Sequence, residues 1–304
     1  MKLRIGTRGS ALARTQASYV AERLRAAGLD SELVIIKTSG DRSDAPSFGS
    51  IGPQGVFVRE IEQALIDGAV DLAVHSFKDL PTRSPAELVI AAVPPREDAA
   101  DVLLARPAAF ADDAGGLLPL REGARVGTSS ARRQVWLRHL RPDLVVEPLR
   151  GNVPTRIRRL ADGDFDAVVL AAAGIDRLTG AGALDGALDG LVVRRLDPER
   201  FVPAPAQGAL AVQCRRGAER VRAALAALDD AESRTRVEAE RAALARAEGG
   251  CDVAFGAHCV RNGTGFRLSA MLERGGRVRA AAADGATPAE LAARVWARLD
   301  TEVA

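Results

Sequence analysis

The chain has 304 residues, of which 47% are apolar and 4% aromatic, and a formal net charge of +2. That length and apolar share support two or three packed domains, while the near-neutral charge and few rings argue against a basic, stacking nucleic-acid surface. No run of about 18 apolar residues occurs, so no membrane span is expected, and the start "MKLRIGTRGS" has no apolar core of a secretory signal. Three cysteines, Cys214, Cys251 and Cys259, make no disulfide framework, which points to a reducing, cytoplasmic setting.

In chain order, "LRIG" predicts a strand and Ser10 to Ala27 a helix, with Leu12, Ala13, Ala17, Val20 and Leu24 on its apolar face and Gly28 just past its end. "ELVIIKT" predicts a buried strand, "VFVREIEQALIDG" an amphipathic helix ending at Gly68, and "DLAVHS" and "LVIAAV" two further strands. This β-α-β alternation implies a mostly parallel, covered sheet. "PPRED", Pro94 to Asp98, punctuates the pattern, which then restarts. "ARVGTSS" reads as strand and turn, Ala131 to Leu140 as a helix, "LVVEPL" as a strand, Pro154 to Leu160 as a helix and "DAVVLA" as a strand. "FVPAPAQG" is a second extended connection, before the strand "ALAVQC". Two crossings imply two α/β lobes around a cleft, an architecture like that of periplasmic binding proteins. From about Ala231 a long helix runs to Ala247; strands "FRLSAML" and "RVRAAAA" flank an "ERGG" turn, and Pro288 opens a last helix. These make a small C-terminal α+β domain.

Two turns echo each other. "IGTRGS" and "VGTSSARR" each leave a strand and open a helix. Capping by Ser10 and Ser130 would explain either turn alone. Two in corresponding places, beside Arg8, Arg132 and Arg133, favour anion binding. In "LRGNVPTRIRRL", Arg150 ends a strand, Gly151 and Asn152 turn, and Arg156 falls in the first turn of a helix. A cation there works against the helix dipole, a cost that an anionic ligand offsets. Arg177, in "AGIDRL", follows another strand. Arginines at strand ends point to a ligand with many carboxylates or phosphates, and no GxxxxGK[ST] is present to suggest a nucleotide loop.

"AVHSFKDLP" supplies the acid: Asp79, beside Lys78 at a strand end, is either a turn cap or a catalytic group. His75, Ser76 and Asp79 are triad letters, but neighbouring side chains of an extended segment point to opposite faces, so His75 is read as structural. Cys251, in "RAEGGCDVAFG", has no CxxC partner and is a poor zinc or dithiol candidate. It is either a buried small hydrophobe or an attachment point.

Together the motifs resemble one family, the porphobilinogen deaminases (hydroxymethylbilane synthases). "RIGTRGSALA", "VFVREIEQAL", "DLAVHSFKDLP", "VGTSSARRQ", "LRGNVPTR", "DAVVLAAAGIDRL", "PAQGALAVQCR" and "AERA…EGGC" recur in order over nearly the whole chain. The resemblance implies three domains: residues 1–97 with 205–227, residues 98–204, and residues 228–304. It implies a transferase that joins porphobilinogen units head to tail into hydroxymethylbilane, releasing ammonia at each step. The primer is a dipyrromethane cofactor held by a thioether to Cys251, with no metal. By the same resemblance Asp79 is the catalytic aspartate. Arg8, Arg132, Arg133, Arg150, Arg156 and Arg177 bind carboxylates, with Ser10, Lys78, Thr128, Ser129, Ser130, Gly151 and Gln207 assisting. Cys214 and Cys259 are core residues. A cytoplasmic monomer is implied, without nucleic-acid or membrane partners, passing its product to uroporphyrinogen-III synthase. The chain departs from the family pattern in the lid-like loop 41–55, where Ser50 and Gln54 stand in place of lysines, and after the cysteine, where "AFG" replaces "PIG". The alternative on the residues alone is a non-catalytic two-lobed receptor for a polycarboxylate solute, which needs neither Asp79 nor a thioether.

Overall fold

A computed structural model describes residues 2–38, 58–111, 116–247 and 254–301. Cys251 and the loop 41–55, with Ser50 and Gln54, lie outside the described residues. The chain packs as two compact units, Met1–Glu97 with Gly208–Arg234, and Asp98–Gln207 with Thr235–Ala304. Among the described residues, no helix is long and apolar enough to cross a membrane.

The first unit is built on strands β1 (Lys2–Thr7), β2 (Asp30–Ile35), β3 (Leu72–Ser76), β4 (Leu88–Ala92) and β10 (Leu210–Arg215), in the order β2-β1-β3-β10-β4. β1 runs parallel to β2 and β3, but β10 is antiparallel to both β3 and β4. Four of the five strands therefore run one way, as the alternation implies, and β10 alone runs against them. β10 is contributed after the chain has built strands of the second unit, and it enters in the opposite direction. Helix α1 (Ala11–Ala26) is capped by Ser10, whose Oγ accepts from the Ala13 N–H at 3.3 Å. Its Ala17, Val20 and Leu24 are fully buried in one cluster with Leu3, Ile5 and Leu72. Helix α2 (Arg59–Ile66) places Ile61 and Leu65 against Ala73 and Leu88. Ala73 points opposite to Leu72 along the strand, so α2 covers the other face of the sheet. Helix α6 (Glu219–Ala226) adds Val221 and Leu225 to the α1 side.

The second unit contains β5 (Asp101–Ala105), β6 (Arg125–Gly127), β7 (Val145–Glu147), β8 (Ala167–Ala171) and β9 (Val192–Arg195), in the order β7-β6-β8-β5-β9. β6 is parallel to β7 and β8, and β5 is antiparallel to β8 and β9. The plan repeats that of the first unit, with β6 in the place of β1 and β5 in the place of β10. Helices α3 (Ala131–Leu140), α4 (Val153–Ala161) and α5 (Ala172–Gly180) accompany it. Trp136 and Phe201 are fully buried in the core, and the Trp136 indole donates to the Val202 carbonyl at 2.9 Å. α5 follows β8 directly, so Arg177 lies in the last turn of a helix and not at a strand end.

Towards the C-terminus, β11 (Phe255–Asn262), β12 (Gly265–Arg274) and β13 (Arg277–Gly285) form an antiparallel sheet. With α7 (Ala231–Ala247) and α8 (Pro288–Thr301) it encloses a core of its own that includes Cys259, Leu268, Ala283, Leu291 and Val295. Cys214 and Cys259 are free and buried; burial raises the Cys214 thiol pKa, as expected for a core cysteine.

Candidate active site

In the first unit, β3 ends at Ser76 and the chain closes a single 3-10 turn, Phe77–Asp79. The Phe77 N–H donates to the Ala209 carbonyl at 3.0 Å and the Leu80 N–H to the Phe77 carbonyl at 3.2 Å. This anchored turn presents Asp79, whose side chain reaches solvent although protein crowds it. Crowding strips water from the carboxylate and raises its pKa, while the positive charges of Lys78 and Arg8 pull it back. Lys78 and Arg8 are both half-buried. The outcome is an acid poised to hold a proton nearer neutrality than an ordinary carboxylate.

In the second unit the β6 turn opens α3, and Ser130 caps it by accepting from the Arg133 N–H at 3.4 Å. Thr128 is buried and its Oγ1 accepts from the Ser130 N–H, while Ser129 donates to the Leu149 carbonyl at 2.9 Å. These hydroxyls shape the turn. Ser10 and Ser130 serve as acceptors at the two caps, which leaves each hydroxyl proton free to donate to an anion.

Arg132 and Arg133 are almost wholly buried and converge on Asp101, the first residue of β5. Arg132 Nη2 lies 2.7 Å from Asp101 Oδ2, and Arg133 Nη2 lies 2.6 Å from Oδ1. Their remaining Nη1 groups donate to the carbonyls of Val202 and Val169. The two guanidinium charges hold Asp101 well below the usual carboxylate range. Gln207, also buried, donates its amide to Asp101 Oδ1 at 3.0 Å and to the carbonyls of Ala99 and Ala100. It therefore braces the arginine pair from inside.

Sequence reasoning missed Asp101. The signal was a single acid opening the apolar run "DVLLA" in an arginine-rich chain.

Around this triad, cationic charge is in excess. Arg156 sits in the first turn of α4, after the Asn152 cap and the left-handed Gly151 (φ +113°). Its Nε donates to the Gly151 carbonyl at 2.7 Å. Burial and the neighbouring Arg133 charge both lower the pKa of its guanidinium. Arg132 and Arg133 share one aspartate and Arg156 feels the like charge of Arg133, which leaves two positive charges uncompensated within this group. Arg132 Nε is buried without a hydrogen-bond partner among the described residues. Arg150 is exposed, and Arg177 is half-buried on α5. Among the described residues no cluster of histidine, cysteine and acidic side chains could hold a metal.

The surplus guanidinium groups of the second unit equip that unit to hold carboxylates, and the first unit carries an exposed acid on an anchored turn. A family model described as "Porphobilinogen deaminase, dipyromethane cofactor binding domain" matches residues 3–223. The porphobilinogen deaminases of Mycobacterium leprae and Mycobacterium tuberculosis are each 49% identical to the chain over 255 residues, covering 84% of it and 76% and 77% of their own lengths. Among solved structures, the periplasmic VFT2 domain of Bordetella pertussis BvgS matches with 17% identity over 75% of this chain and 86% of that one, at a TM-score of 0.41. The chain belongs to the porphobilinogen deaminase family. It is an enzyme of porphyrin synthesis that joins porphobilinogen into the linear tetrapyrrole hydroxymethylbilane with release of ammonia, on a dipyrromethane cofactor. The residues fit that cofactor: its acetate and propionate groups match the surplus charge at Arg156 and the unpartnered Nε of Arg132. The receptor reading is the weaker one.

Proposed function

We propose that Asp79 is the catalytic residue and that Arg8, Arg132, Arg133, Arg150, Arg156 and Arg177 hold the carboxylates of the substrate and the growing product. The observation that carries this is the anchored Phe77–Asp79 turn, which presents an exposed Asp79 carboxyl within reach of the charges of Lys78 and Arg8. When porphobilinogen loses ammonia, positive charge spreads onto its pyrrole nitrogen. A fixed carboxylate facing that N–H stabilises the charge, and one whose pKa is raised can also take up and return a proton. The charges of Lys78 and Arg8 favour the ionised form of Asp79. In the second unit Asp101 and Gln207 fix the directions of Arg132 and Arg133, so little ordering remains to be done when carboxylates arrive. Ser10, Ser130 and the Gly151 turn add neutral contacts. When bound, the dipyrromethane supplies the pyrrole carbon to which the first substrate is joined.

We further propose that Cys251 carries this cofactor through a thioether, on a third domain of residues 228–304, and that the protein is a cytoplasmic monomer, passing its product to uroporphyrinogen-III synthase. Asp79→Asn should keep the fold and the attached cofactor, and lose about 10²–10⁴-fold in turnover. Parent-level turnover in that variant would remove Asp79 from the mechanism. Cys251→Ser should purify at the mass of the bare chain and give no colour with Ehrlich's aldehyde reagent. A covalent pyrrole adduct persisting in that variant would place the attachment elsewhere.

A further inference from the structure

Among the buried polar side chains of the first unit, three form one hydrogen-bonded chain that the reaction does not use. His75 Nε2 lies 3.1 Å from Gln213 Oε1, and Gln213 Nε2 donates to Glu62 Oε1 at 2.9 Å. All three residues are buried: His75 on β3, Gln213 on the neighbouring β10 and Glu62 on α2. The direction of the chain is set by its ends. The Gln213 amide nitrogen faces a carboxyl, so its oxygen faces the imidazole, and His75 carries its proton on Nε2. Burial keeps that ring neutral, with its pKa lowered to about 4, and raises the pKa of Glu62. An apolar trio would fill the space beneath α2 without this desolvation cost.

The chain ends at the last turn-forming stretch of β3. His75 and Ser76 point to opposite faces of the strand. Ser76 is held from the other side by Gln16 of α1, at 2.8 Å and 3.2 Å. The two residues before the Phe77–Asp79 turn are thus bonded on both faces of the sheet, and the direction in which the strand releases Asp79 is fixed. We infer that His75, Gln213 and Glu62 are positioning residues for the Asp79 carboxyl. The inference rests on the reading of Asp79 as the catalytic group.

The test is steady-state kinetics on cofactor-loaded enzyme, with each rate divided by its Ehrlich-reactive content. The triple variant His75→Leu, Gln213→Met, Glu62→Met removes the chain while leaving no buried donor or acceptor of the trio unmatched, so the fold survives. Its kcat should fall on the order of tenfold, with KM for porphobilinogen within twofold of the parent. His75→Gln, which restores a donor where Nε2 stood, should keep kcat within twofold. Parent-level kcat in the triple variant overturns the proposal, and so does a rise in KM without a fall in kcat. If the triple variant does not fold, His75→Leu against His75→Gln decides: equal kcat in the two overturns the proposal, and a selective loss in His75→Leu supports it. An inactive Asp79→Asn with an unimpaired triple variant sinks this inference alone, whereas an active Asp79→Asn sinks the reading beneath it.

Discussion

β1 and its turn open the first unit as β6 and its turn open the second, and both turns end in a serine that caps the following helix. Behind the first, buried His75, Gln213 and Glu62 are joined amide to imidazole and amide to carboxyl. Behind the second, Asp101 is clamped between two guanidinium groups. One strand plan therefore supports two electrostatic solutions. A network around a neutral imidazole fixes the backbone that presents an acid. An ion triad keeps cations aligned while leaving their charge in excess.

Breaking the triad should have the largest effect on stability. Asp101→Asn leaves two buried guanidinium groups facing each other and should cost about 3–5 kcal/mol in denaturant unfolding. A loss under about 1 kcal/mol would mean that water already compensates the pair and that the contrast between the units is wrong.

Acid should separate the units next. The folded-state pKa of His75 is lowered to about 4, below its ordinary 6.5, so the unfolded chain binds more protons between these values. Stability therefore falls as pH drops from about 6.5 to 4, by at most about 3 kcal/mol from this one group. Glu62, whose pKa is raised, acts with the opposite slope above its ordinary value. The difference between the parent and His75→Gln isolates the imidazole, and the variant should show the flatter curve. Asp101 has a lowered folded-state pKa. Its contribution is present above the ordinary carboxylate range and is lost only as pH falls below it. Parallel pH curves for the parent and His75→Gln would show that the imidazole is not desolvated.

The two echoing turns, the Arg150–Arg156 loop and the strand leading to Asp79 were legible because glycine, serine and proline punctuate them. The one reversed strand of each five-stranded sheet was not. A run such as "ALAVQC" says that a buried strand exists, but its antiparallel place between β3 and β4 depends on where the chain has been in between. β5 and β9 were overlooked because "DVLLA" and "VVRR" are short and carry no turn signal of their own. Arg177 was misplaced because β8 runs into α5 with no breaker between them. Asp101 could not be paired with Arg132 and Arg133 from spacing, since β5 reaches them only through the fold.

A smaller contrast lies in the glycines before the turns. A Cβ at Gly127 would sit 2.9 Å from atoms of both Leu149 and Phe165, whereas at Gly6 it would sit 3.0 Å and 3.1 Å from methyls of Val70 and Ile36. An aromatic ring yields less readily than an aliphatic branch. Gly127→Ala should cost about 1–3 kcal/mol, and Gly6→Ala less, as read by thermal unfolding of the two variants side by side. The reverse order would show that the second unit's turn is the softer one.

The smallest expected change in stability carries the opposite sign. Arg156 stands at a helix N-terminus, half-buried, beside the like charge of Arg133, and its Nε bond to the Gly151 carbonyl offsets only part of that cost. Arg156→Gln should therefore raise the stability of cofactor-free Cys251→Ser protein by about 0.3–1 kcal/mol. In the loaded enzyme the same substitution removes a charge-assisted contact to a carboxylate and should raise KM for porphobilinogen about tenfold. First-unit positions such as His75 should show no such opposition, because their polar groups are already matched within the fold. A variant less stable than its cofactor-free parent would mean that Arg156 is a structural cation, and the excess charge in the second unit would then need another purpose.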